Sequence, residues 1–180
     1  TATDRAANTS NSSNPVEVIL DTKAPVITVT TPANNTYTNQ SAITTTGSVD
    51  EPVILTINGT AVPLEGLNFT NYVTLASGAN AIVYSAKDPA EHQSTISRIV
   101  YLDRTPPAVT ISTPVNGLIT NSSQITVTGA VNEPVTSVKI NGQAAQVSGT
   151  VFTLTGFTLT EGDNTITAEA TDRAGNTGSA

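Results

Sequence analysis

The 180-residue chain has no cysteine, no methionine and no tryptophan, and its only aromatic residues are four tyrosines and three phenylalanines. Zero cysteine excludes disulfide staples and thiolate-ligated zinc, so core packing and hydrogen bonding must hold the fold. Charge is scarce as well: 12% of residues are charged, and seven basic residues against fourteen acidic ones leave a net charge of −7. Seven scattered Lys and Arg exclude the clustered phosphate contacts that nucleic acid or an anionic membrane requires. There is no apolar run of ~18 residues, which excludes a membrane-spanning helix. The absence of methionine leads us to expect that Thr1 is a processing product or a cut within something longer, and either suits an exported protein. Thr, Ser, Asn, Val and Ile dominate, a composition suited to short two-faced strands rather than helices, so the chain is expected to be all-β.

The chain says nearly the same thing twice. Asp21-Thr-Lys-Ala-Pro25-Val-Ile-Thr-Val29 returns as Asp103-Arg-Thr-Pro-Pro107-Ala-Val-Thr-Ile111, an offset of 103 − 21 = 82 residues. The register persists through Thr31-Pro32 and Thr113-Pro114, Asn39 and Asn121, Gly47 and Gly129, and Glu51-Pro52-Val53 and Glu133-Pro134-Val135. Repetition of one module argues for a scaffold before an enzyme.

Within each repeat, runs of β-formers alternate with turn signals at the spacing of a β-sandwich. We read strand A at Val26 to Thr30 and Val109 to Ser112, strand B at Ile43 to Val49 and Ile125 to Val131, and strand C at Val53 to Ile57 and Val135 to Ile140. Asn58-Gly59 and Asn141-Gly142 are type I′ hairpin signals, because both central residues need positive φ. Ala61 to Leu64 and Ala144 to Val147 leave that turn, and the next strand carries Phe69 or Phe152 to Leu75 or Leu159. Asn80 and Asn164 then read as corner residues bonding their own loop. Strand F follows at Ala81 to Ala86 and Thr165 to Ala170, and strand G at Ile96 to Leu102. With so few aromatics, core packing is expected of Phe69, Tyr72, Tyr84, Tyr101 and Phe152 rather than a sugar-stacking platform.

These residues resemble a family, the bacterial immunoglobulin-like repeats, of the kind also seen as the glucodextranase domain-B-like module. The signature is distributed: Asp-x-x-x-Pro-x-Val/Ile-x-Val/Ile at the start of each repeat, Thr-Gly-x-Val-x-Glu-Pro-Val after strand B, Ile-Asn-Gly, Phe-Thr, Leu-x-x-Gly-x-Asn, and Ala-x-Asp-Arg-Ala-Gly-Asn at residues 170–176. The first repeat departs at the last motif, where Asp88-Pro-Ala-Glu-His92 stands for Asp172-Arg-Ala-Gly-Asn176. The resemblance implies two tandem immunoglobulin-like β-sandwich domains, used in long extracellular proteins for spacing, adhesion or carbohydrate contact, often with calcium. It implies no chemistry.

His92 is the only histidine, and with no nucleophile elbow in the chain we read it as a loop imidazole and not as part of a triad. Asp50 and Glu51 are adjacent on a strand and point to opposite faces, which disqualifies them as a glycosidase pair. The acidic loops carry more. In a sandwich of this topology the chain enters at one pole, to which the B–C and F–G loops return, so Asp21, Asp50, Glu51 and Asp88 should converge in the first repeat. Asp103, Asn132, Glu133 and Asp172 should do so in the second. Carboxylates gathered from separate loops repel unless neutralised, and hard oxygen ligands suit Ca²⁺; the alternative is an acidic, hydrated linker.

The expected organisation is residues 1–21 as a loop plus a G-type strand, 22–103 as the first sandwich, and 104–180 as the second, lacking its own last strand. Residues 1–8 repeat the F–G loop motif, and Asn14 to Leu20 reads as a strand whose Pro15, Val16, Val18, Ile19 and Leu20 could be donated to a neighbouring copy, building a head-to-tail filament. Adjacent repeats covalently supplying those strands are the alternative. The functional expectation is a non-enzymatic extracellular or cell-surface bacterial module, structural or adhesive, with neighbouring copies, a polysaccharide or a host or cell surface as partner. The rival is a carbohydrate-binding accessory module of a secreted glycoside hydrolase.

Overall fold

A computed structural model describes all of residues 1–180, and every regular element in it is a strand. The first unit contains β1 (Ile27–Thr31), β2 (Thr36–Thr38), β3 (Ala42–Val49), β4 (Ile54–Ile57), β5 (Thr60–Val62), β6 (Asn68–Thr74), β7 (Gly78–Lys87) and β8 (Gln93–Leu102). The second contains β9 (Val109–Thr113), β10 (Gln124–Val131), β11 (Val135–Ile140), β12 (Gln143–Ala144), β13 (Gln146–Ser148), β14 (Val151–Thr158), β15 (Ala168–Asp172) and β16 (Thr177–Ser179). There is no helix long and apolar enough to cross a membrane.

Each unit is a sandwich of two sheets. In the first, β1-β3-β6 faces β2-β8-β7-β4-β5; in the second, β13-β14-β10-β9 faces β12-β11-β15-β16. Alternation places one side chain in two between the sheets. Thus Ile27, Val29, Val49, Leu55, Ile57, Phe69, Ile82, Tyr84, Val100 and Leu102 belong to one core, and Val109, Val127, Val131, Val138, Ile140, Phe152, Ala168 and Ala170 to the other. Each core includes a phenylalanine lying over a glycine of the neighbouring strand in the same sheet, Phe69 beside Gly47 and Phe152 beside Gly129. No Cβ fits at Gly47 between the Thr28 carbonyl and the Phe69 ring, nor at Gly129 between the Thr110 carbonyl and Phe152. Burial of each ring contributes roughly 1.5–3 kcal/mol. The first core also holds a polar pair, in which the Thr45 and Tyr84 hydroxyls meet at 2.6 Å while Thr45 donates to the Thr31 carbonyl at 2.9 Å.

Two single-residue insertions separate the repeats. The offset is 135 − 53 = 82 at Val53/Val135, 140 − 57 = 83 at Ile57/Ile140 and 159 − 75 = 84 at Leu75/Leu159. Both insertions are β-bulges. In the β11–β15 ladder the register skips between Val135 and Ser137, leaving Thr136 free to hydrogen-bond the Thr171 and Asp172 carbonyls. In β10–β14 it skips between Ile125 and Val127, opposite Gly156 at φ +71°, a left-handed geometry that glycine adopts without steric cost.

Several strand expectations need correction. The second unit does have a last strand: Thr177–Ser179 pairs with β15, and Ala168 and Ala180 exchange backbone hydrogen bonds at 2.9 Å. Strand F of that unit begins at Ala168 rather than Thr165. The segment after Asn141-Gly142 is divided between two sheets, β12 pairing with β11 and β13 with β14. Residues 14–20 form no strand, and the last strand of the first unit is β8, which pairs with β7 along its whole length and with β2 over Val100–Leu102. Tyr72 points outward, 75% exposed, whereas Phe69, Tyr84 and Phe152 are buried. Tyr101 is half-buried and stacks on Tyr37, with ring centroids 4.7 Å apart.

Candidate functional site

The pole at which each unit begins is built by three backbone turns. Asp21 and Asp103 each accept the N–H two residues on, from Lys23 at 3.1 Å and Thr105 at 3.0 Å, which bends the chain into β1 and β9. Asp50 Oδ1 accepts the Val26 N–H at 2.7 Å, and Asn132 Oδ1 accepts the Ala108 N–H at 2.7 Å, tying the B–C turn to the start of the first strand. The F–G corner is closed by an aspartate four residues before its partner. Asp88 accepts the His92 backbone N–H at 2.9 Å and lies 3.0 Å from His92 Nδ1; Asp172 accepts both the backbone and side-chain N–H groups of Asn176 at 2.8 Å.

These turns bring together two clusters. Asp21, Asp88 and His92 offer ligand atoms within 4.8 Å of one another in the first unit; Asp103, Glu133 and Asp172 do so in the second. Asp50 and Asn132, included in the expected ligand sets, each accept a strand N–H through Oδ1, and Asp50 is not one of the compact trio of the first unit. Glu51 stands outside the compact trio but feels it. Desolvation first, then the charges of Asp21, Asp50 and Asp88, push its carboxyl above the usual value near 4.5, against a smaller lowering by His92. Glu133 is raised in the same way, by desolvation and then by Asp103 and Asp172. Asp88 and Asp172 are only 4% and 3% exposed. The second cluster is the one with the donor set of a hard cation, three carboxylates from three separate loops. His92, expected to be a loop imidazole, stands where the second pole has Asn176 and brings a ring nitrogen to the first cluster.

The second cluster abuts the first unit. Asn176 Nδ2 donates to the Asp103 carbonyl at 3.0 Å, and the Arg173 guanidinium lies 5.7 Å over the Tyr37 ring. The same F–G corner occurs a third time. Asp4 accepts the N–H groups of Ala6 at 2.8 Å and Asn8 at 2.9 Å and the Asn8 side-chain amide at 2.9 Å, with Thr3 and Thr9 bridged beneath it. The donor-strand residues Val16, Val18, Ile19 and Leu20 that follow are 83–86% exposed, and Pro15 is exposed with them.

The family described as "Glucodextranase, domain B" matches this chain twice, over residues 25–104 and 107–180. Bacillopeptidase F of Bacillus subtilis (strain 168) is 30% identical over 170 residues, which cover 89% of this chain and 12% of that protein. Hyalin of Lytechinus variegatus is 31% identical over 176 residues, covering 93% of this chain and 31% of hyalin. The chain therefore spans less than a third of the length of either relative. Among solved structures, fibronectin(III)-like modules of Clostridium thermocellum CbhA superpose with a TM-score of 0.53 at 14% identity, covering 84% of this chain and 88% of theirs. At that identity the likeness concerns the fold alone.

Proposed function

The chain belongs to the glucodextranase domain B family, and we propose that it serves as a non-enzymatic structural and adhesive module outside the bacterial cell, repeated in line with units of its own kind. The observation that carries this reading is the F–G corner, which recurs at Asp4, Asp88 and Asp172 with spacings of 88 − 4 = 84 and 172 − 88 = 84 residues. Residues 1–20 are on this reading the last corner and last strand of a similar sandwich, whose sheet would cover Val16, Val18, Ile19 and Leu20. Arrays of this type stack units whose interactions are mainly with their immediate neighbours.

Calcium belongs to the proposal. Asp103, Glu133 and Asp172 supply three hard oxygen donors, and an ion held there would neutralise carboxylates that otherwise repel at the junction of the two units. Asp21, Asp88 and Glu51 form the corresponding acidic group of the first unit.

The exposed apolar segment supports a second reading. In it, Val16, Val18, Ile19 and Leu20 are donated to a sandwich in a neighbouring copy, giving a head-to-tail filament. That exchange would carry the Asp4–Asn8 corner redundantly beside the acceptor's own, which favours the in-line array.

The rival role, a carbohydrate-binding accessory module, is separated by affinity electrophoresis of residues 1–180 in gels containing soluble β-glucans, α-glucans or xylan. The structural reading expects unchanged mobility in every gel. Concentration-dependent retardation by one polysaccharide would replace it with the carbohydrate-binding role.

A further inference from the structure

The two ends of the first unit are joined by a parallel strand pair. β1 and β8 both run from the acidic pole to the opposite pole, and beyond β1 the chain turns into β2, which lies parallel to the end of β8: Thr36 faces Val100, Tyr37 faces Tyr101 and Thr38 faces Leu102. Three further hydrogen bonds extend the patch. Asn35 N–H donates to the Ile99 carbonyl at 2.8 Å, Ile99 N–H to Asn34 Oδ1 at 2.8 Å, and Asp103 N–H to the Thr38 carbonyl at 2.9 Å. Across its centre Tyr37 and Tyr101 stack at 4.7 Å and 15°, with Arg173 of the next unit over the Tyr37 ring.

We propose that this β2–β8 patch is a mechanical clamp through which the first unit carries tension along the chain. Force applied through Asp21 loads β1 on its ladder with β3 first and, once β1 yields, draws β2 back toward the acidic pole, while force applied through Asp103 draws β8 away from it. Because the strands are parallel, the two pulls oppose each other along the strand axes, and every bond of the patch is strained at once. A hairpin pulled from its open end would instead lose its bonds one at a time. The stacked tyrosines add a contact that must break in the same step, and the Arg173 corner seats the following unit on the site where the force passes. The clamp deepens the structural role proposed above and rests on it, since only a module in line with others meets end-to-end force.

The test holds residues 1–180 by Thr1 and Ala180 at constant force and records the lifetime of the first unit, whose step is identified by its shift in the core variant Val73→Ala. Val73 is buried on β6, in the facing sheet. Forced unfolding follows the unfolding rate rather than the equilibrium constant. The clamp predicts that Tyr37→Ala/Tyr101→Ala shortens the lifetime under force about three- to tenfold more than Val73→Ala does, after scaling each to its loss of stability in urea. Asn34→Ala, which removes one acceptor and leaves the ladder, gives a smaller excess in the same direction and serves if the double variant does not fold. Lifetimes that shorten only in proportion to the urea values, for both patch variants, overturn the clamp. They leave the array reading standing, which imaging of the native protein tests separately.

Discussion

Asp172 receives two hydrogen bonds from Asn176, the backbone N–H at Oδ1 and the side-chain amide at Oδ2, both at 2.8 Å. With both oxygens occupied in a buried corner, Asp172→Ala should destabilise the second unit by about 2–3 kcal/mol, since two donors lose a charged acceptor. His92→Asn puts the second unit's residue into the first unit's corner and should change stability by less than about 0.5 kcal/mol. Urea titrations of the two variants check both values; a harmless Asp172→Ala would show that the corner is held by something else.

Calcium should raise the melting temperature. An ion bound only by the folded state at a hundredfold excess over Kd adds about 2.7 kcal/mol. Glu133→Gln and Asp103→Asn should each weaken the response, and superimposable melting curves in Ca²⁺ and in EDTA would sink the assignment.

The raised carboxyls of Glu51 and Glu133 fix the sign of the pH dependence without the ion. A folded-state pKa above the unfolded value near 4.5 means that the folded chain holds its proton more tightly. These groups therefore favour folding below that pH and lose the contribution as pH rises from about 4.5 through the folded-state value. In EDTA, Glu133→Gln should flatten this decline; a stability that climbs through the same window in the parent, and equally in the variant, contradicts the sign.

Gly129→Ala forces a methyl between the Thr110 carbonyl and the Phe152 ring and should destabilise the second unit by roughly 1–3 kcal/mol or more. Gly156→Ala meets only the Gln124 side-chain oxygen at 3.9 Å, an ordinary contact, but keeps φ at +71°, so a smaller loss of about 1 kcal/mol is expected from backbone conformation. The reverse order of the two in denaturant would contradict the packing described.

Deleting residues 1–20 should leave the unfolding of both units unchanged, because Val16, Val18, Ile19 and Leu20 touch neither core. Light scattering of the full and shortened chains separates the two readings of that segment. Oligomers lost on deletion would favour strand donation, and monomers in both cases the in-line array.

Much of this was readable from residue order. Asn58-Gly59 and Asn141-Gly142 announced hairpins, and all four residues have positive φ, at 50°, 80°, 44° and 84°. The Asn80 and Asn164 corners bond their own loops as their Leu-x-x-Gly-x-Asn context suggested. The convergence of Asp103, Glu133 and Asp172 followed from sandwich topology. One miss had a signal that was available. Tyr72 has the opposite parity to Phe69 and Val73, so once those are inside it must face out. Asp50 matches Asn132 in the repeat, and each ties its B–C turn to the first strand through Oδ1, so the acceptor oxygen is common to both units and the charge is not. The parallel pairing of Thr36–Thr38 had no local signal, because three residues acquire strand geometry there only from β8 beside them. The bulge at Gly156 was visible only as a one-residue drift in offset.

Imaging of the native protein tests the in-line extracellular array most directly. Negative-stain electron microscopy of intact cells and of the protein shed from them, decorated with an antibody raised against residues 1–180, should show label outside the cell at regular intervals along linear, beaded chains. Label confined to the cell interior, or attached to isolated globular particles with glycoside hydrolase activity, would contradict it.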